Sequence, residues 1–206
     1  MSHRPKDRGW PPAPEPLPAA VVDNHTHLDG VAHYVEPALG HPSVAEMLAA
    51  AASVGVDRVV QDGCDLDAAE LTARWVEEYP AMLGAVAIHP NEAVLHGGVR
   101  DEIGPDGLEL DPQPRHELSY DEAFARVANL ARRTSRIRAV GETGLDRFRS
   151  GPRGFVWQER AFRDHIALAK ELDLRRLGPY STVSPAIESW RTCVPRRAGM
   201  SRSLAR

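Results

Sequence analysis

Short apolar runs alternate with amphipathic segments along the middle of this 206-residue chain. Four of the apolar runs have the length and composition of buried strands, at positions 19–23, 57–61, 82–88 and 137–142. A segment with helical spacing of its apolar residues follows each run. Because the strands are apolar on both faces, the alternation predicts an α/β fold in which helices cover a parallel sheet.

Two of the helical segments carry a start signal. Ser43 and Ser119 each precede a glutamate by three residues, which is the capping-box pattern of a helix N-terminus. The last helix is predicted over 155–172, with one apolar stripe facing the sheet. A long polar segment between His89 and Ser119 is predicted to be an irregular loop and a candidate lid.

The two ends of the chain differ from this regular middle. Residues 1–18 hold six of the seventeen prolines and are predicted to be a disordered leader. Residues 175–206 hold seven arginines, one acid and no histidine, and neither helical nor strand periodicity continues into them. We therefore predict one folded unit over 19–174, followed by an irregular arginine-rich tail.

The net charge is distributed unevenly between the tail and the rest of the chain. The whole chain carries −4, but the tail contributes +6, which leaves −10 on residues 1–174. An acidic folded unit repels phosphate groups outside a metal site, and the tail lacks the interleaved aromatic residues that stack on bases. Both features disfavour a nucleic-acid-binding module that works through the tail.

The composition also disfavours a membrane protein and a disulfide-rich protein. No apolar run approaches the length of a membrane span, and the N-terminus lacks the apolar core of a signal peptide, so we expect a cytoplasmic protein. The only cysteines, Cys64 and Cys193, are too few for a disulfide framework and are not spaced as a zinc knuckle. A metal ion would therefore be held by histidines and carboxylates.

Two histidines, His25 and His27, follow the first predicted strand. Residues two apart on a strand point to the same side, and α/β proteins place their sites at the carboxyl ends of parallel strands. The two imidazoles can therefore share one divalent cation. The alternative is a pair of exposed loop histidines.

Two further strand ends carry candidate chemistry. Glu142 lies between glycines at the end of the last strand, where its carboxylate could reach the same edge of the sheet and bridge two cations. His89 ends the third strand and is a candidate for the substrate pocket, with a hydrogen bond to loop backbone as the alternative. His165 is predicted to be a core histidine. The combination of His25, His27 and Glu142 suits Zn, Mn, Mg or Fe and metal-assisted hydrolysis.

The chain resembles the TatD family of metal-dependent deoxyribonucleases, within the wider amidohydrolase-like barrels. The similar stretches are DNHTHLD at 23–29, IHP at 88–90, VGETGLD at 140–146 and QERAFRDHIALA at 158–169. Their order and spacing extend the resemblance over roughly residues 19–174.

This resemblance implies a TIM-barrel-like (β/α)₈ fold whose mouth holds two divalent metal ions, such as Mg, Mn or Zn. It implies hydrolysis of phosphodiesters, with DNA ends cleaved in the 3′-to-5′ direction. His25 and His27 correspond to ligands of one metal and Glu142 to the bridging ligand. Another barrel hydrolase of the amidohydrolase or histidinol-phosphatase-like kind, which also begins with His-x-His, is the enzymatic alternative.

The chain departs from the family pattern after Leu174. Family members continue into strands that bear two further histidines and an aspartate that activates water, and residues 175–206 hold none of these. Thirty-two residues cannot supply four more βα units of about 25–30 residues each. We therefore expect about four βα units, low activity, and a frameshift or wrong gene boundary near Leu174. The excess of arginine over lysine, 23 to 2, is typical of GC-rich coding DNA. Shifted reading frames of such DNA tend to encode arginine, serine, proline and alanine, as in this tail. A non-catalytic barrel fragment is the alternative.

Overall fold

Five parallel strands form one sheet in the order of the sequence in the computed structural model, which describes residues 12–31 and 40–176. The strands are β1 (Val21–Thr26), β2 (Val56–Gly63), β3 (Met82–Val86), β4 (Ile137–Val140) and β5 (Arg175–Arg176). Every neighbouring pair is parallel. The predicted α/β fold with a parallel sheet is therefore confirmed.

Helices connect these strands. Those that lie wholly within the described residues are α1 (Val44–Ser53), α2 (Leu66–Glu78), α3 (Pro90–His96), α4 (Tyr120–Arg133) and α5 (Pro152–Glu171), with a 3₁₀ turn at Pro114–Glu117. None of the described helices is both long and apolar enough to cross a membrane.

Both predicted capping boxes are present. The Ser43 hydroxyl accepts a hydrogen bond from the Glu46 backbone N–H at 3.2 Å, and the Glu46 carboxylate accepts one from the Ser43 N–H at 2.7 Å. Ser119 and Glu122 make the same pair of bonds ahead of α4. Each box satisfies backbone donors that the first helical turn leaves unpaired, so α1 and α4 begin where the sequence predicted.

The main core lies between the sheet and the last two helices. Side chains of β3 and β4, such as Val86 and Ile137, pack against Val127 of α4 and Leu168 of α5. Most of the predicted inner stripe of the last helix is buried, namely Gln158, Ala161, His165, Leu168 and Ala169, while Phe162 and Leu172 of the same stripe are half-buried. A smaller apolar cluster around Val59, Val76 and Met82 joins β2, α2 and β3.

The segment between His89 and Ser119 is not the continuous loop that the sequence suggested. Helix α3 begins directly after His89, because Pro90 occupies its first turn, where the missing N–H has no intrahelical partner. The 3₁₀ turn at Pro114–Glu117 interrupts the remainder of the segment. The prediction of a fully irregular lid was therefore wrong in its secondary structure.

Two predicted strands also end earlier than expected. The structure ends β3 at Val86 and β4 at Val140, whereas the apolar runs extended to 88 and 142. The next residues still donate hydrogen bonds across the sheet, Ala87 N–H to Gly63 O at 3.0 Å and Gly141 N–H to Val86 O at 3.2 Å. The chain therefore leaves the regular strand pairing shortly before the candidate site residues His89 and Glu142.

The ends of the chain lie mostly outside the described residues. This applies to residues 1–11 of the predicted leader and to the predicted irregular tail from 177 onward. Arg175 and Arg176 are described, and they pair with Ala139 and Val140 of β4 as strand β5. The expected frameshift near Leu174 stays a prediction.

Candidate metal centre

The carboxyl ends of β1, β2 and β4 bring four chemically active side chains to one edge of the sheet. His25 lies near the end of β1 and His27 directly after it, Asp62 is the last residue but one of β2, and Glu142 follows β4 by two residues. Because all strands run in the same direction, residues far apart in sequence converge there.

Three of these side chains form a compact cluster. The two histidine Nε2 atoms lie 3.2 Å apart, and Glu142 oxygens lie 3.5 Å from His25 Nε2 and 3.7 Å from His27 Nε2. Ligand atoms about 2.1 Å from one cation are separated by about 3.0–3.5 Å from each other. The structure thus brings together the three predicted ligands in an arrangement that fits a divalent cation.

The cluster is open on one side. The exposed fraction of the side chain is 15% for Glu142 and 23% for His25, but 42% for His27. Water or a ligand can therefore approach past His27, while Glu142 and His25 are fixed by the protein around them.

Local contacts explain how β1 presents its two histidines. The β1–β2 register shifts between Asp23 and Thr26. Strand β1 therefore carries one extra residue next to His25. Beyond the strand, Leu28 N–H donates to the Gln61 side-chain oxygen at 2.8 Å. Because Gln61 is fully buried, this bond ties the segment after His27 to the interior of β2.

The segment that carries Glu142 is held by helix α5. The peptide bond between Gly141 and Glu142 is cis. Four residues further on, Asp146 N–H donates to the side-chain oxygen of Gln158, whose side-chain amide donates back to the Asp146 carbonyl. Gln158 is fully buried, so the segment that follows β4 is anchored in the core.

Asp62 is a further candidate residue that the sequence did not predict. Its side chain is fully buried, and neither of its carboxylate oxygens has a hydrogen-bond partner among the described residues. Burial, with the charges of Glu142, Asp23 and Asp29, raises the pKa of Asp62 to about 7. An acid at the carboxyl end of a strand, directly after the predicted run 57–61, was the signal that could have identified it.

Cys64 was excluded from the predicted site and is also close to it. Its thiol donates to a carboxylate oxygen of Glu142, with sulfur and oxygen 3.3 Å apart. Burial raises the pKa of this thiol, so Cys64 is a neutral donor that supports Glu142.

His89 lies beside the same cluster, at the start of α3. Its Nδ1 accepts a hydrogen bond from Asn91 N–H at 3.2 Å, which caps the helix and leaves the proton of the neutral ring on Nε2. Burial lowers the pKa of His89, and the charges of Glu142 and His27 are near enough to affect it. The backbone hydrogen bond that was the alternative role of His89 is therefore present, and Nε2–H is the donor that the neutral ring retains.

A second group of candidate ligands comprises Glu92, His96 and His116. The Nδ1 atom of His116 accepts from Gln113 N–H at 2.7 Å, so its Nε2 carries the proton and donates to Glu92 at 2.8 Å. Arg115 makes two further bonds to the same carboxylate. Because the lone pair of His116 and the charge of Glu92 are already used, this cluster ties the 3₁₀ turn to α3 instead of forming a metal site.

His165 is the core histidine that the sequence predicted. It is fully buried, its Nε2 accepts from Ile88 N–H at 3.0 Å, and its Nδ1–H donates to the Ala161 carbonyl at 2.6 Å. Both ring nitrogens are therefore satisfied by backbone groups, and the bond to Ile88 fixes the chain next to His89.

Known proteins resemble the chain over the part that contains His25, His27 and Glu142. Residues 22–175 match the model of the TatD related DNase family. The uncharacterized metal-dependent hydrolase TatD of Mycobacterium tuberculosis is 32% identical over 154 residues, which are 73% of this chain and 47% of that protein. The uncharacterized metal-dependent hydrolase YabD of Bacillus subtilis is 28% identical over 155 residues, or 75% and 48% of the two chains.

A solved structure shares the fold. The crystal structure of YJJV, a TatD homologue from Escherichia coli K12, superposes with a TM-score of 0.52 at 23% sequence identity. The match covers 76% of this chain and 49% of that one. The chain spans about half the length of the curated relatives it matches.

Proposed function

Because this chain belongs to the TatD-related DNase family, we propose that it is a metal-dependent hydrolase with His25, His27 and Glu142 as metal ligands. The fold is α/β and TIM-barrel-like, as in other members of the family. The observation that carries the proposal is the convergence of two imidazole nitrogens and one carboxylate, which come from β1 and β4, to within 3.2–3.7 Å.

The donor set indicates the kind of cation. Imidazole nitrogen and carboxylate oxygen suit Zn, Mn, Mg or Fe, and each histidine Nε2 has one oxygen of Glu142 within 3.7 Å. When bound, such a cation supplies a Lewis acid that activates water and stabilises negative charge during hydrolysis.

The chain's own residues have separate tasks in this proposal. Glu142 is oriented by the thiol of Cys64 and by the segment that Gln158 anchors. Neutral His89 offers an Nε2–H beside the metal ligands, where a phosphoryl oxygen of the substrate could accept it. The exposed side of His27 is the approach for the substrate.

We propose DNA phosphodiesters as the substrate, cleaved from 3′ ends. The family description names DNases, and the relatives are named as metal-dependent hydrolases. The acidic charge of residues 1–174 also favours a site that needs a metal to hold phosphate groups.

The test is digestion of end-labelled DNA with Mg²⁺ or Mn²⁺, comparing the chain with the His25→Ala, Glu142→Ala double variant. The matched control is His41→Ala, Glu109→Ala, which removes the same residue types from exposed positions. We expect slow, metal-dependent release of nucleotides by the chain and by the control only. Equal cleavage by the ligand double variant, or cleavage that persists in a chelator, would contradict the proposal.

A parallel assay distinguishes the substrate class. Bis(p-nitrophenyl) phosphate, p-nitrophenyl phosphate and p-nitrophenyl acetate report phosphodiester, phosphomonoester and carboxylic ester hydrolysis. Metal-dependent turnover of the diester supports the proposed substrate class. Turnover of the monoester or the carboxylic ester alone supports the other amidohydrolase-like enzymes, and no turnover by a folded chain supports a non-catalytic barrel fragment.

A further inference from the structure

A buried carboxylate, that of Asp62, lies next to the proposed metal ligand His25. Asp62 Oδ2 is 3.7 Å from His25 Nδ1, and the Asp62 side chain has no exposed surface. Both of its oxygens lack a hydrogen-bond partner among the described residues. A buried polar group without a partner is unusual in folded proteins and calls for a physical reason.

The two nitrogens of His25 face different groups. Its Nε2 atom points to the other two ligands, 3.2 Å from His27 Nε2 and 3.5 Å from Glu142. Its Nδ1 atom is the one near Asp62. A neutral imidazole carries one proton, and its Nε2 can bind a cation only if that proton is on Nδ1.

Neighbouring carboxylates are engaged elsewhere. Asp23 accepts a hydrogen bond from the backbone N–H of His25 at 3.1 Å, and Asp29 accepts one from the Gln61 side chain at 2.5 Å. Asp62, in contrast, accepts no hydrogen bond from any described residue. At 3.7 Å its contact with His25 is longer than an N–H···O hydrogen bond, but the ionised carboxylate still attracts a proton on the facing nitrogen.

We propose that Asp62 is a positioning residue that keeps the proton of His25 on Nδ1, so that Nε2 is the nitrogen that binds the metal. Carboxylates that orient metal-binding histidines in this way are common in metalloenzymes. The inference rests on the proposed function for the role of the metal, but the location of the proton can be measured without metal.

This role gives a reason for an acid at a fully buried position of β2. An isolated carboxylate in the protein interior is unfavourable, and an apolar side chain at the same position would avoid that penalty. A function in orienting His25 explains why the strand nevertheless ends in Asp62.

The first experiment measures the His25 tautomer in the metal-free protein. Long-range ¹H–¹⁵N spectra at pH 8.5 distinguish Nδ1–H from Nε2–H, and the His25→Gln variant assigns the signals. We expect Nδ1–H in the unmodified chain and a shift towards Nε2–H in Asp62→Ala. Asp62→Asn should lie between them, because its amide oxygen can still accept a hydrogen bond.

The matched control is Asp29→Asn. It removes one negative charge from the same edge of the sheet, while its amide oxygen can still accept from Gln61. We expect it to leave the His25 tautomer unchanged. An Nε2–H tautomer in the unmodified chain, or equal effects of Asp62→Ala and Asp29→Asn, would overturn the proposal.

The second experiment measures affinity for Mn²⁺ and Zn²⁺ by calorimetry. Loss of a residue that orients a metal ligand lowers metal affinity by about 10–100-fold, and we expect this for Asp62→Ala but not for Asp29→Asn. Unchanged affinity in Asp62→Ala would contradict the role. If the unmodified chain bound neither metal, the proposed function would fail, and the tautomer measurement would still decide the position of the proton.

Discussion

Gln158 holds the backbone of Asp146 from both sides. Its side-chain oxygen accepts from Asp146 N–H at 2.7 Å, and its side-chain amide donates to the Asp146 carbonyl at 3.1 Å. Through these two bonds, a fully buried residue of α5 fixes the segment that carries Glu142. The position of the proposed metal ligand Glu142 therefore depends on packing in the core as well as on its own side chain.

Replacing this amide should weaken the fold and the metal site together. Gln158→Met keeps a similar volume but leaves the Asp146 backbone groups unpaired, so we expect a loss of about 1–3 kcal/mol in the free energy of unfolding. Urea unfolding measures this loss, and Mn²⁺ affinity should also fall. The control is Val156→Ala on the exposed face of the same helix, with an expected change within about 0.5 kcal/mol. Equal stability of the two variants would show that the amide bonds contribute little.

His165 should make the stability of the protein depend on pH. Burial lowers the pKa of this histidine to about 4, whereas an unfolded chain has a histidine pKa of about 6.5. Below pH 6.5 the unfolded state therefore takes up a proton that the folded state does not. The contribution of His165 is fully present above pH 6.5 and is lost as the pH falls towards 4, with a total of about 3 kcal/mol.

This pH dependence can be isolated by comparison with a variant that does not titrate. Urea unfolding between pH 7.5 and 4.5 should show a steeper loss of stability in the unmodified chain than in His165→Gln. Other titrating groups are common to both proteins and cancel in the difference. The exposed His41→Gln serves as control and should follow the unmodified chain. Parallel profiles for the unmodified chain and His165→Gln would rule out a buried, neutral His165.

Divalent metal should stabilise the folded chain. A ligand that binds only the folded state adds about 2.7 kcal/mol to the free energy of unfolding at a concentration 100 times its Kd. We expect Mn²⁺ or Zn²⁺ to raise the Tm of the unmodified chain and EDTA to reverse the change. The His25→Ala, Glu142→Ala double variant should show no increase, while His41→Ala, Glu109→Ala should behave as the unmodified chain. An equal shift in all three proteins would indicate binding elsewhere.

His89 offers a test that separates helix capping from substrate contact. His89→Asn preserves a side chain that can cap α3 but lacks the Nε2–H, whereas His89→Ala loses both. A hydrogen bond to a charged group contributes about 1.5–3 kcal/mol, so we expect kcat/KM for a DNA or diester substrate to fall about 10–100-fold in both variants. Only His89→Ala should also lose stability, by about 1 kcal/mol. Unchanged kcat/KM in His89→Asn would remove His89 from the substrate pocket.

Local patterns predicted much of the fold correctly because they act over a few residues. The capping boxes at Ser43 and Ser119 depend only on contacts three residues apart, and the buried stripe of α5 follows from helical periodicity. The segment from His89 to Ser119 was harder. Its polar composition concealed α3, whose start depends on Pro90 and on the side chain of His89 as a cap.

By itself the sequence determined the four main strands, their parallel sheet and the three candidate ligands, since strand ends that carry His25, His27 and Glu142 can be recognised from local pattern. Only the tertiary structure decided the supporting contacts of Asp62, Cys64 and Gln158. Their distances depend on strand register and on packing between residues separated by many positions, as for Cys64 and Glu142. Burial sets the charge and proton state of such groups, and burial exists only in the folded chain.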